Sequence, residues 1–237
     1  MKALIQFLLS LKTAFWLFTI FIVIMFVGSL SLPGNLAFFS GIDETPLFKW
    51  LKAAGSPGTT WWIYALIIML ALLAVSTVFC TFEAVLKRIA KRQLFLKLSP
   101  QVMHMGVLFI MLGHLLTASL GIKTDVLIKR GEEKAVTGGS ITLQDVKVWK
   151  DQNGYDQDWE AKLLWSDGKA AQEADLRPAR PRYVGAYGLY IKAVSIEPEV
   201  TALVRVCRDP GALWALLGGL LLSAGGMGFI YGRFGTE

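Results

Sequence analysis

The stretch Lys87-Arg88-Ile89-Ala90-Lys91-Arg92-Gln93-Leu94-Phe95-Leu96-Lys97 carries five positive charges and no acid. It joins two apolar runs near membrane-spanning length, so its sign decides which way they cross. Short loops rich in Lys and Arg stay in the cytoplasm. The rest of the charge falls into line with this loop. Outside residues 122–209 the basic residues are Lys2, Lys12, Lys49, Lys52, Lys87, Arg88, Lys91, Arg92, Lys97 and Arg233, and the acids are Asp43, Glu44, Glu83 and Glu237. Region 122–209 is neutral, with fourteen residues of each sign, and the first loop is neutral with two of each. The whole formal charge of +6 therefore sits at the N-terminus, the middle loop and the C-terminus. All three are expected in the cytoplasm. The pattern predicts four transmembrane helices, with a neutral exterior domain inserted between the third and the fourth.

Composition agrees. The chain has 237 residues, 54% of them hydrophobic, and its mean hydropathy is +0.50. That is too apolar for an ordinary soluble domain. A basic balance can signal nucleic-acid binding, but here the positive charges flank apolar segments, where topology explains them. The first apolar run is longer than a signal-peptide core, and Leu30-Ser31-Leu32-Pro33 is a poor cleavage site, so we expect it to remain as a span.

The predicted spans cover about 13–30, 61–82, 102–120 and 212–231. Lys12 precedes the first and Pro33-Gly34 ends it. Trp61, Trp62 and Tyr64 open the second as interfacial aromatic rings. Between them, Pro46-Leu47-Phe48-Lys49-Trp50-Leu51-Lys52 is amphipathic and is expected to lie on the outer membrane surface. Ser99-Pro100 is a helix start. In the fourth span, Ala215, Gly219 and Ser223 recur every four residues, and Ala224 and Gly228 form a neighbouring pair. Small residues at that spacing allow close helix packing in lipid. The domains are thus 1–121 (membrane), 122–209 (exterior) and 210–237 (fourth helix and short cytoplasmic tail).

Residues 122–209 read as β structure. Strands are expected at 125–128, 140–149, 159–165, 183–194 and 200–206, with turns at Gly131-Glu132-Glu133, Asp151-Gln152-Asn153-Gly154 and Ser166-Asp167-Gly168. Short alternating strands with polar turns predict a small antiparallel sandwich or barrel. Trp149, Trp159 and Trp165 are expected in its core. Cys80 and Cys207 belong to no CxxC or CxxCH pattern. The predicted topology puts a membrane thickness between them, too far for a disulfide.

Chemistry is concentrated in the third span, which holds the chain's two histidines, His104 and His114. An ionisable side chain in a span is costly and marks a candidate site. Ten residues separate the two, about 15 Å along a helix and about 80° around it. Neutral imidazole can ligate haem iron, and Met69, Met103, Met105 and Met111 are available as partner ligands. An interhelical hydrogen bond is the other reading for each histidine. Arg177, Arg180 and Arg182 precede a strand and can bind carboxylates such as haem propionates, or form surface salt bridges. Residues 122–209 contain no histidine, which leaves triad or zinc chemistry there without its usual base or ligand.

Four pieces of the chain, in order, resemble the ResB/CcsB-like membrane proteins of cytochrome c biogenesis (system II). They are Ser10-Leu11-Lys12-Thr13 with Gly28-Ser29 in the first span, and His104-Met105-Gly106 with Gly113 in the third. Pro181, Gly185 and Tyr190 in a late strand, and Asp209-Pro210-Gly211 before a glycine-rich last span, complete the series. The exterior domain is shorter than the family's usual one. The resemblance implies a subunit of a cytochrome c haem-lyase complex that helps carry haem across the membrane and present it to apocytochrome c. It implies His104 as an axial ligand to haem iron, with no family position matched by His114. It also implies haem b, transported or transiently bound and never covalently attached. The implied partners are a CcsA/ResC-type membrane protein, apocytochrome c and a thioredoxin-like thiol reductase. The implied location is the bacterial inner membrane. Two other classes stay open on the residues alone: a b-type cytochrome subunit using both histidines, and a scaffold that docks an exterior protein.

Overall fold

The computed structural model describes residues 7, 10–89, 98–168 and 170–234. The charges at Lys2, 91–97 and Glu237 lie outside the described residues. The chain forms two compact units, one of residues 1–42, 47–119 and 210–237 and the other of 43–46 and 120–209.

The first unit is helical. Among the described residues, four helices of this unit are long and apolar enough to cross a membrane. They are α1 (Leu11–Ser31), α4 (Pro57–Ile89), α5 (Ser99–Leu120) and α6 (Ala212–Phe234). Two short helices, α2 (Leu36–Phe39) and α3 (Leu47–Ala54), lie between α1 and α4. Helix α4 starts four residues before Trp61, because Pro57 fits the first helical turn, where its missing N–H costs nothing.

Helix α3 is the segment expected to lie on the outer membrane surface, and Phe48 in it is exposed. Its apolar face is covered by the chain itself: Trp50 and Leu51 are buried with Phe39 and Ile63. The Trp50 ring stacks on Phe39 at 5.7 Å between centroids. Trp62 joins this cluster at 6.0 Å from Phe39, while Trp61 stays exposed. The Trp62 indole also lies against Gly28 of α1, where a Cβ would fall 2.4 Å from the ring. Only glycine lets α1 accept that ring.

Helices α5 and α6 meet backbone to backbone. A Cβ on Gly106 would fall 2.7 Å from the Gly218 carbonyl oxygen, one on Gly113 2.7 Å from that of Gly211, and one on Gly225 2.8 Å from Met103 N. The seam residues Gly211, Gly218 and Gly225 recur every seven positions, as do Ser99, Gly106 and Gly113 opposite. The expected four-residue pattern is met only in part: Gly228 lies against Ser99, where a Cβ would fall 2.8 Å from its Oγ. Ala215 does touch Gly113, but Gly219 has nothing within 4 Å among the described residues. A seven-residue period keeps one line of residues facing the neighbour along paired helices, and glycines on that line permit the close approach that stabilises helix pairs in lipid.

The second unit holds two four-stranded antiparallel sheets, in orders β1-β8-β7-β6 and β2-β3-β4-β5. The strands are β1 (Ile122–Lys129), β2 (Glu133–Val136), β3 (Gly139–Lys150), β4 (Asp156–Ser166), β5 (Ala171–Leu176), β6 (Arg182–Val184), β7 (Tyr187–Ser195) and β8 (Thr201–Arg208). Their inward residues, among them Ile128, Ile141, Leu143, Leu163, Leu176, Leu189, Val204 and Val206, make one apolar core. Strands β2 and β5 are additional to those expected, and the predicted strand 183–194 is a hairpin turning at Gly185 (φ +59°). Trp165 is in the core and Trp159 packs against it. Trp149 is instead 42% exposed, because its position in β3 faces outward.

Candidate functional site

His104 lies in the second turn of α5, half-buried. Its contact on α4 is Thr81, in a helix that also carries Ser76 and Thr77. Thr81 is 7% exposed and Ser76 2%. Thr81 Oγ1 lies 3.3 Å from His104 Nδ1. The same hydroxyl donates to the Thr77 carbonyl at 2.7 Å, and Thr77 in turn donates to Leu73 O at 2.8 Å. Such bonds from a helical threonine back to residue i−4 are how its hydroxyl is satisfied in a helix interior. Ser99 and Gln101 at the start of α5 are also buried. Of these polar groups, Thr81 is in hydrogen-bond contact with His104, while Ser99 lies against Gly225 and Gly228 of α6.

The donor set bears on which iron or metal species could be held. Among the described residues no group of three or more His, Cys, Asp and Glu could hold a metal ion. A bare ion needs about three or four protein ligands, whereas a porphyrin brings four nitrogens and asks the protein for one or two axial ligands. One half-buried imidazole steadied through Nδ1 fits the second demand. Met103 is packed against Gly225 in the helix seam, and Met105 is 41% exposed.

His114 is exposed on α5 and is not brought to His104. Its neighbour Gly113 belongs to the seam with α6. So do Gly106 and Gly211, which gives three of the resemblance-bearing glycines a packing role that spacing alone does not reveal.

In the β unit the arginines do come together. Arg177, Arg180 and Arg182, with Glu160, Asp175 and Pro181, line a cavity of 410 Å³. Arg177 Nε donates to Glu160 Oε2 at 2.7 Å, and its NH2 group contacts the same oxygen. The Arg177 guanidinium also lies 5.3 Å from the centroid of Trp149, a cation–π contact. A tight turn returns Arg180 N to Arg177 O at 3.0 Å, through Ala179 at φ +58°. Arg180 and Arg182 are exposed. The cavity thus has one more guanidinium than carboxylate, and Arg177 is committed to Glu160.

Outward on the other sheet, Tyr183 and Tyr190 share a hydrogen bond of 2.9 Å between hydroxyls, which together with burial holds the Tyr190 phenol above its ordinary pKa. Cys207 lies behind Tyr190. Burial raises its thiol pKa, and a hydrogen bond with Tyr190 opposes this in part. Gly188 leaves room for the group: a Cβ there would meet both rings and the Cys207 sulfur within 3.3 Å.

The structure gives His104 a hydroxyl neighbour in Thr81 and sets Arg180 and Arg182 beside Glu160 and Asp175 in one cavity; the sequence reading named none of Thr81, Glu160 and Asp175. The signal for Thr81 was present: Thr77 and Thr81 stand four apart in an otherwise apolar span, one turn on the same face. Nothing in the sequence links Glu160 or Asp175 to the arginines, because strand register does that.

No family model matches the chain, and no curated protein matches it. Among solved structures it is similar to one described as Cytochrome c Heme Lyase CcmF, at 19% identity and a TM-score of 0.45, covering 83% of this chain and 34% of that one. The chain spans about a third of that structure's length.

Proposed function

We propose that this chain works in cytochrome c maturation and, more finely, that it is a ResB/CcsB-like haem-handling subunit. The observation that carries the proposal is the His104 site: an intramembrane imidazole steadied through Nδ1 by Thr81 at 3.3 Å. Such a side chain is expensive in a span unless it has work, and a hydrogen bond to the other ring nitrogen orients metal-ligating histidines. The sequence resemblance centred on His104-Met105-Gly106 supports the same reading. Haem b is the cargo; when bound, its iron takes an axial nitrogen from His104. Arg180 and Arg182 are proposed to receive the propionates at a second station, and the exposed guanidiniums of their cavity suit paired carboxylates.

The second axial ligand is assigned to a CcsA/ResC-type partner, with apocytochrome c as acceptor and a thioredoxin-like reductase keeping its thiols reduced. The setting is a bacterial inner membrane, with both termini in the cytoplasm and residues 122–209 outside, by the charge rule. An exposed imidazole at His114 favours a second reading, a b-type electron-transfer subunit whose partner supplies matching ligands.

The test is haem content. The full chain co-expressed with a CcsA-type protein should show haem absorption that His104→Ala abolishes, together with cytochrome c maturation. Unchanged haem and unchanged maturation in that variant end the ligand role. Stable, redox-active haem that needs both His104 and His114 selects the electron-transfer reading.

A further inference from the structure

The proton on the Thr81 hydroxyl can be placed by distance. Thr81 Oγ1 is 2.7 Å from the Thr77 carbonyl oxygen and 3.3 Å from His104 Nδ1. A hydroxyl has one proton to donate and two lone pairs to accept with. The shorter contact is of ordinary O–H···O length, and the longer one is at the far end for a nitrogen partner. A carbonyl oxygen can only accept. The hydroxyl proton therefore goes to Thr77, and Thr81 Oγ1 faces His104 as an acceptor. In a neutral imidazole one nitrogen carries the proton and the other the free electron pair, and the hydrogen bond made by one fixes the state of the other.

We propose that Thr81 is a positioning residue that holds His104 in the tautomer protonated on Nδ1, leaving Nε2 as the nitrogen that presents its electron pair. The use of that pair on haem iron rests on the functional reading above; the tautomer does not. The back-bond to Thr77 is what makes the arrangement directional. Without a carbonyl to take its proton, the hydroxyl could serve the ring equally well as donor, and the ring could invert its tautomer. Donation thus runs one way, from His104 Nδ1–H to Thr81 Oγ1 and from the Thr81 hydroxyl to the Thr77 backbone carbonyl.

The test uses the full chain without haem, 15N-labelled at histidine, in detergent micelles at alkaline pH, where an ordinary imidazole is neutral. With two histidines in the chain, a His114→Gln sample assigns the signals. The expected result is a pyrrole-type shift at His104 Nδ1 and a pyridine-type shift at Nε2. Thr81→Val should move the tautomer ratio toward Nε2–H by about two- to tenfold, the worth of one net hydrogen bond, and Thr81→Ser should restore it. Titration with hemin should show affinity weakened in Thr81→Val by about 10–100-fold, as when other hydrogen-bond partners of ligating histidines are removed, with recovery in Thr81→Ser. A wild-type ring protonated on Nε2, or a ratio unmoved by Thr81→Val, overturns the inference, whatever hemin does. If the tautomer is as stated but His104→Ala binds hemin as well as wild type, the inference stands and the functional reading falls. Measurement on the wild-type chain keeps the question answerable even if the valine variant does not fold.

Discussion

Gly106 and Gly218 face each other across the α5–α6 seam with no room for a methyl group on either. A Cβ on Gly106 would lie 2.7 Å from the Gly218 oxygen, and one on Gly218 would lie 2.6 Å from the Gly106 oxygen. The obstructing atoms are backbone, so no rotamer change relieves the clash.

Gly106→Ala should therefore destabilise the full chain by about 1–3 kcal/mol, the usual cost of overpacking. Gly219→Ala, with open space around it, should be neutral or should gain up to about 1 kcal/mol of helix propensity. Unfolding in mixed micelles, followed by helical circular dichroism, measures both. Equal stability of the two variants would show that the seam does not form as described.

Asp125 and Arg205 are cross-strand partners in β1 and β8, joined by two bonds of 2.6 and 2.7 Å. The guanidinium holds the Asp125 carboxyl below its ordinary pKa. A depressed carboxylate stabilises the fold above the unfolded value, near about 4, and loses that contribution as pH falls through the folded value. The pair is about one-third exposed, so its worth is about 0.2–1 kcal/mol after solvent screening. Arg205→Gln should raise amide exchange in β1 and β8 at neutral pH, and the difference from wild type should vanish well below pH 4. A difference that persists undiminished in acid would rule out the ion pair as its source.

Cys207 should alkylate only at elevated pH, since burial is the main cause raising its thiol pKa. Measured in a Cys80→Ser background, Tyr190→Phe should push the midpoint of iodoacetamide labelling further up, because the hydroxyl no longer favours the thiolate. A midpoint that falls would mean that Tyr190 acts on the thiol only by covering it.

Replacing Arg180 and Arg182 together by alanine should weaken hemin binding by the full chain by about three- to tenfold, an exposed charge-assisted contact being worth less than a buried one. Hemin dimethyl ester should be unaffected, since it has no carboxylates to lose. Equal loss for both ligands would remove the propionate role.

The apolar runs and alternating strands are local features, and the sequence determined them. Long apolar helices, a β region between the last two of them in sequence, and two imidazoles in the third were expected from hydropathy and period, and the described residues show those elements. The glycine seam was half legible: small residues in the last helix were evident, but which line of them packs depended on the partner helix, and the seven-residue line at Gly211, Gly218 and Gly225 won over the four-residue one. The short helix at Leu47–Ala54 was read as amphipathic correctly, but amphipathicity says only that one face seeks cover. Phe39 and Ile63 supply that cover, eight residues before the helix and nine after it. Likewise His104 was visible as one of two rings in its helix, while its hydroxyl neighbour came from Thr81, 23 residues away, and the arginine cavity came from pairing β4 with β5. Composition and period act within a few residues along the chain. Which groups meet across helices and strands is decided by packing, and that is where this protein's candidate chemistry is set.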